Sequence, residues 1–183
     1  MNPNKIPVQT IETERLILRP VTENDEEAIF EYSKGENVGP NAGWKPHESI
    51  EETREVMKLI FLHIENIFGI ELKETGQLFG SIGLIPDPKR QNEDSRIIGY
   101  AIGENYWGKG YATEAVQALI RFGFEELGLN LISAYCYPFN ERSKHVLKKC
   151  GFKYEGKLHW AEKRYDGEII DNECYYITGQ QYV

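Results

Sequence analysis

Residues 105 to 115 read Asn-Tyr-Trp-Gly-Lys-Gly-Tyr-Ala-Thr-Glu-Ala, and their types and spacing could bind a phosphorylated ligand. An apolar run, Ile97-Ile98-Gly99-Tyr100-Ala101-Ile102, precedes them. A helical pattern follows, in which Ala112, Ala115, Val116, Leu119, Ile120 and Leu127 recur at three- and four-residue steps. The order is strand, glycine-bearing loop, helix. Gly108 and Gly110 let backbone N–H groups converge, and a helix N-terminus adds partial positive charge. Such a turn suits the phosphates of a ligand, so Trp107 to Thr113 is the candidate binding loop. A rival motif overlaps it. Gly103 to Lys109 has the spacing of a P-loop, but the next residue is Gly110 where a P-loop needs a Ser or Thr hydroxyl for Mg²⁺. A nucleoside triphosphatase therefore ranks well below the reading developed from this loop further on.

The elements that must position this loop are legible in the flanks. Leu16 and Leu18 alternate with Ile17 and Arg19 in a first strand, and Thr22-x-x-Asp25 starts a short helix with Ala28, Ile29 and Tyr32 on one face. Ser49-x-x-Glu52 opens a longer helix, whose stripe of Val56, Met57, Ile60, Phe61 and Ile64 reads as core. The segment from Asn37 to His47 between them holds Gly, Pro and Trp44. Residues 68–73 and 78–85 form a hairpin around Glu74-Thr75-Gly76, and the polar stretch 86–95 is a turn or loop. Gly128 caps the helix after the glycine loop, 131–137 is a strand, and Asn140 caps a helix that stops at Gly151. Two last strands turn at Asp166-Gly167. The order β, α, α, three strands, α, β, α, β, β is α+β, a mixed and mostly antiparallel sheet with helices on both faces. Residues 1–183 read as one domain, with 1–9 a loose arm.

The bulk numbers narrow the function classes. A chain of 183 residues, 40% hydrophobic and 27% charged, fits one soluble globular domain. A net charge of −8 argues against nonspecific nucleic-acid binding, which needs clustered Lys and Arg, and is compatible with a cationic acceptor. The odd set Cys136, Cys150 and Cys174 reads as buried reduced thiols in a cytoplasmic protein. No apolar run suggests a membrane span, and the first residues lack the core of a signal peptide. His47, His63, His145 and His159 show no metal-ligand spacing with the cysteines, so no metal is expected.

Read further, the glycine loop resembles the acetyl-CoA loop of the GNAT superfamily of N-acetyltransferases, Q/R-x-x-G-x-G/A. Asn105 replaces the Gln/Arg, while Gly108 and Gly110 match. The string Tyr106 to Ala115 resembles the RimJ/RimL branch, which acetylates N-terminal amines of ribosomal proteins. Glu14 to Pro20 is similar to that branch's opening strand. Asn140 to Ser143 with Gly151-Phe152 is similar to its second cofactor motif, and Gly156 to Leu158 with Asp166-Gly167 and Asp171 to its closing hairpin. The resemblance implies a GNAT-like fold with acetyl-CoA as co-substrate. It implies cofactor contacts from Tyr100, Ala101, Ile102, Trp107, Gly108, Lys109, Gly110, Tyr111, Ala112, Thr113, Asn140 and Ser143. It implies an amine acceptor that is a protein N-terminus or a small molecule, and it leaves a homodimer open. Trp44 and His47 are candidates to line the acceptor cleft, with a packing role for the loop Trp44 as the alternative.

Amine acetylation needs three things. The amine must lose a proton, the oxyanion needs a donor, and the departing thiolate needs a proton. Two departures from the superfamily matter. The Glu that many members carry before the cofactor loop is Ile97 here, and the Tyr seven residues after the Asn is Leu147. The RimL-like pattern implies instead that Ser143 donates to the thiolate and Glu162 deprotonates the amine, directly or through water. Helix-end and surface roles for these two residues stay open, as does Asn140 as cap or ligand contact. His159 stands where the branch often has Arg. A non-catalytic CoA-binding module is the alternative, motivated by the missing Glu and Tyr.

Overall fold

A computed structural model describes residues 9–182. The expected loose arm therefore lies, apart from Gln9, outside the described residues. Eight strands form one sheet: β1 (Ile11–Glu12), β2 (Leu16–Arg19), β3 (Ile67–Leu72), β4 (Gln77–Pro86), β5 (Ser95–Ile102), β6 (Leu131–Cys136), β7 (Lys153–Lys163) and β8 (Ile169–Thr178). Their spatial order is β1-β2-β3-β4-β5-β6-β8-β7. Every pairing is antiparallel except β5 with β6. The helices are α1 (Glu26–Ser33), α2 (Gly39–Ala42), α3 (Ile50–Val56), α4 (Tyr111–Glu125), α5 (Glu141–Lys149) and α6 (Gly179–Tyr182). None of these is long and apolar enough to cross a membrane.

The sheet separates two apolar layers, because successive strand residues point to opposite faces. On one face α4 and α5 pack Val116, Leu119, Phe122 and Leu147 against Leu84, Ile98 and Ile132. On the other, α1 and the segment after α3 pack Ile29, Tyr32 and Met57 against Leu78 and Ala101. The α4 stripe meets the sheet closely enough at Gly123 that a Cβ there would lie 2.8 Å from Ile132 Cδ1. The expectation of a mixed sheet with helices on both faces therefore holds.

Two irregularities shape the site. The parallel β5–β6 pairing covers only Ser95↔Leu131, Arg96↔Ile132 and Ile97↔Ser133. Beyond it, residues 98–102 of β5 and 134–136 of β6 run unpaired with each other, and a cleft opens between the strands. The second irregularity is the helix after Ser49. Ser49 Oγ caps it by accepting from Glu52 N (3.1 Å), as the sequence predicts. After Val56, however, the backbone widens into a π turn over Met57–Phe61. The wider turn shifts the phase of the apolar stripe. Met57 is buried, but Ile60 and Ile64 are exposed, and Val56, Ile60 and Phe61 line the cleft. The stripe expected to be core thus contributes three side chains to the cavity.

Candidate active site

The cleft between β5 and β6 has a volume of about 1530 Å³. That exceeds the ~300–1,000 Å³ of a typical single-ligand pocket and leaves room for two substrates. The loop before α4 forms one end. Gly108 (φ +74°) and Gly110 (φ +84°, the residue preceding α4) hold the left-handed backbone that favours glycine. A Cβ on Gly108 would meet no atom within 4 Å, so the space beside it is open. Glu114 N is bonded to Gly110 O, but among the described residues no protein acceptor meets the N–H groups from Gly108 to Thr113. Unpartnered amides at the start of a 15-residue helix are a cradle that fits a pyrophosphate.

The loop is braced from the far edge of the sheet. Arg15 donates from Nε to Glu114 Oε2 (2.7 Å) and from Nη1 to Lys109 O (3.1 Å), while its guanidinium lies 4.6 Å from the Tyr111 ring centre. Thr13 Oγ1 adds a 2.6 Å bond to Glu114. Trp107 Nε1 donates to Ile102 O (2.7 Å), which fixes the loop to the end of β5. Sequence reasoning placed Arg15 only in a strand. Its bracing role was hinted at by Glu114, a carboxylate in the first turn of α4, but a separation of 99 positions hides the pair.

Across the cleft stands the start of α5. Asn140 Oδ1 accepts from Ser143 N (3.1 Å), the helix-capping bond, and Asn140 Nδ2 donates to Asn41 O (3.1 Å). Ser143 Oγ lies 2.9 Å from Tyr100 Oη on β5. Burial holds the Tyr100 phenol well above its ordinary pKa, so it keeps its proton through neutral pH. Tyr100, Ala101, Ile102, Trp107, Gly108, Gly110, Tyr111, Ala112, Thr113, Asn140 and Ser143 all line the one cavity. Lys109 does not; its carbonyl is turned to Arg15 and its Nζ lies 5.4 Å from the Tyr106 ring centre. Gly108→Val would force a β-branched residue into φ +74° and a side chain into the open cradle. Titration calorimetry should then show acetyl-CoA affinity falling more than tenfold, about 1.4 kcal/mol or more, and unchanged affinity in a folded variant would refute the cradle.

The remaining expected residues divide. Trp44 and His47 line the cleft. His47 is buried, its Nδ1 lies 2.8 Å from Thr53 Oγ1, and burial lowers its pKa, so the ring is neutral at pH 7. Glu162 is not among the lining residues. Its Oε1 accepts from Tyr137 Oη (2.8 Å), beside the left-handed Gly43. A bulge sets this placement: the β7–β8 register slips between Leu158 and Glu162, with Trp160 at φ +52° and its N–H held by Asp171 Oδ1 (2.9 Å). Ile97 and Leu147 offer no proton-transferring group. Cys136 lines the cleft, but burial pushes its thiol up to about 12, far from the thiolate a nucleophile requires. Among the described residues no group of three or more His, Cys, Asp or Glu side chains could hold a metal.

Comparison with known proteins agrees with this geometry. Residues 15–153 match the family model for the acetyltransferase (GNAT) domain. The chain is 34% identical to the uncharacterized N-acetyltransferase p20 of Bacillus licheniformis, over 96% of this chain and 99% of that one. A GNAT-family acetyltransferase structure from Bacillus anthracis superposes with a TM-score of 0.83 at 30% identity, over 94% of this chain and 99% of that one. Spermidine N-acetyltransferase from Vibrio cholerae, solved with CoA and spermine, superposes with a TM-score of 0.77 at 25% identity, over 93% and 99% of the two chains. This strand, glycine loop and helix fall within the matched residues 15–153, and the chain belongs to the GNAT family of acetyltransferases.

Proposed function

We propose that the protein transfers the acetyl group of acetyl-CoA directly to a primary amine. One observation carries this reading: the phosphate cradle at Gly108–Thr113 and the Tyr100–Ser143 hydroxyl pair open onto the same cavity. Transfer forms an amide C–N bond and breaks the thioester C–S bond. The amine gives up a proton and the departing thiolate takes one. The loop amides bind the pyrophosphate, Asn140 and Ser143 orient the pantetheine end, and the Ser143 hydroxyl supplies the thiolate's proton. A polypeptide N-terminus is the acceptor that the RimJ/RimL-like motifs favour, and a protein described as a putative ribosomal-protein-serine acetyltransferase from Vibrio cholerae shares the fold at 26% identity. The spermidine enzyme supports the second reading, a small-amine acceptor. Thiol release from acetyl-CoA, measured with peptides and small amines, tests the proposal. Tight CoA binding without thiol release from any amine would make the protein a non-catalytic CoA-binding module.

Glu162 is proposed as the base, acting through water because it does not itself line the cleft. The argument is one of need: Ile97 cannot accept a proton, and a free α-amine is mostly protonated below its pKa of about 8. Glu162→Gln keeps the shape and the Tyr137 contact while removing basicity. Its kcat should fall, with activity recovering at high pH as the free amine becomes abundant. A pH–rate profile identical to the wild type would assign proton removal elsewhere.

A further inference from the structure

The two faces of the cleft differ in chemistry, and the face opposite α4 and α5 describes the acceptor. On that face Ser81, Gly83 and Ile85 of β4 stand opposite Ala101, Gly99 and Ile97 of β5. Residues paired across an antiparallel ladder point to the same side. The centre of the floor is therefore a pair of glycines. A Cβ on Gly99 would meet nothing within 4 Å, so the floor there is bare backbone under open space. At Gly83 the space is taken by Ile67, whose Cγ1 would lie 2.9 Å from such a Cβ. Val56 at the end of α3, with Ile60 and Phe61 of the π turn, forms the facing wall.

The polar groups on this face are neutral or already engaged. Tyr32 Oη donates to Ser81 Oγ (3.1 Å), and its phenol is pushed up to about 12 by burial. His47 is neutral and bonded to Thr53. Behind Tyr135, the buried Asp87 accepts from Tyr135 Oη (2.7 Å), Ser133 Oγ and Lys89 N (2.9 Å). Glu162 accepts from Tyr137. Among the described residues lining the cavity the single carboxylate is Glu141, on α5 and so across the sheet. A polycation seated on this face would lose hydration with no lining carboxylate beside it to replace it. An apolar body would lose nothing and would cover Ile60, which is 41% exposed.

We infer that the acceptor is a primary amine on an uncharged aliphatic or aromatic body, seated over Gly99 against Val56, Ile60 and Phe61. This rests on the acetyltransferase reading and names its substrate class. The same chemistry belongs to a free small amine and to a polypeptide N-terminus with an apolar first residue. The test compares phenethylamine, a peptide beginning with Leu, and spermidine, by thiol release from acetyl-CoA with the full chain. The better of the two apolar acceptors should exceed spermidine in kcat/KM by at least about tenfold, one large apolar side chain's worth of discrimination. Whether the peptide or phenethylamine is preferred distinguishes the two sources, and either result supports the inference. Gly99→Val, at a backbone position open to any side chain, should lower kcat/KM for that apolar acceptor about tenfold or more while acetyl-CoA affinity by calorimetry stays within about twofold. Ile60→Glu, at the exposed rim, should shift preference toward spermidine. Spermidine turnover equal to or above the apolar amines, or an unchanged ratio in Ile60→Glu, would overturn the inference and leave the acetyltransferase reading standing. Absence of thiol release with every amine would overturn both.

Discussion

Ser143→Ala is expected to lower kcat about 10²-fold while the acetyl-CoA KM changes only roughly threefold or less. The split follows from the hydroxyl's proposed task, which is to meet charge that develops on sulfur only as the C–S bond breaks. The helix start does not need this hydroxyl, because the capping bond at α5 runs from the Ser143 backbone N–H to Asn140 Oδ1. Tyr100 gives the argument direction. Its phenol is kept protonated by burial and lies 2.9 Å from Ser143 Oγ, so it can donate to the serine and leave the serine's own proton for the thiolate. Tyr100→Phe should therefore lower kcat by less than Ser143→Ala, and the double variant should be little worse than Ser143→Ala alone. That non-additivity is the mark of two groups acting as one device. If Ser143→Ala lowers only the melting temperature and turnover survives, Ser143 is a helix-end residue and another group protonates the thiolate.

The second large effect is on stability. Arg19→Ala should destabilise the fold by about 3 kcal/mol, because it leaves a buried carboxylate without its partner. Arg19 donates from Nη2 and Nη1 to Asp25 (2.8 and 2.9 Å) and from Nε to Glu71 (2.6 Å), joining β2 to β3 and to the start of α1. Asp25 is 8% exposed. For a chain of this size the melting temperature should drop by roughly 6–12 °C. Burial alone would raise the Asp25 pKa, but the hydrogen bonds from Arg19 and Thr22 outweigh it and hold the carboxyl below its ordinary value of 3.8. A depressed carboxyl contributes stability that is present above its unfolded pKa and lost as pH falls through its folded pKa. The gap between wild type and variant should accordingly narrow from pH 7 to about pH 2. An equal gap at both ends, measured by denaturant unfolding, would show that the lost contribution is packing of the arginine stem rather than charge.

Local structure was legible because its causes are local. The spacing of Ala115, Val116, Leu119 and Ile120 predicts the face that α4 buries, and all four are buried. Gly108 and Gly110 mark a glycine-bearing loop before a helix, and both adopt the positive φ that glycine favours. Ser49 and Asn140 each accept the backbone N–H three residues on, as capping side chains do. The mixed sheet followed from the order of these elements.

The cleft itself was not legible. It exists because β5 and β6 stop pairing after Ile97 and Ser133, and register between strands 36 residues apart leaves no mark in either strand's own pattern. The Val56–Phe61 stripe misled for a related reason. A 3.6-residue period fits a core-facing helix, but the π turn changes which side chains face inward. Tyr100 and Ser143 meet across 43 residues, and Arg15 and Glu114 across 99. The bulge at Trp160 turns Glu162 to Tyr137 rather than into the cleft. By itself the sequence determined the glycine cradle, the caps and the helix faces, because steric φ preferences and apolar periodicity act over a few residues. The tertiary structure alone decided where the sheet opens, which hydroxyls meet across it and which side chains wall the cleft, because those depend on long-range packing that no short stretch of chain encodes.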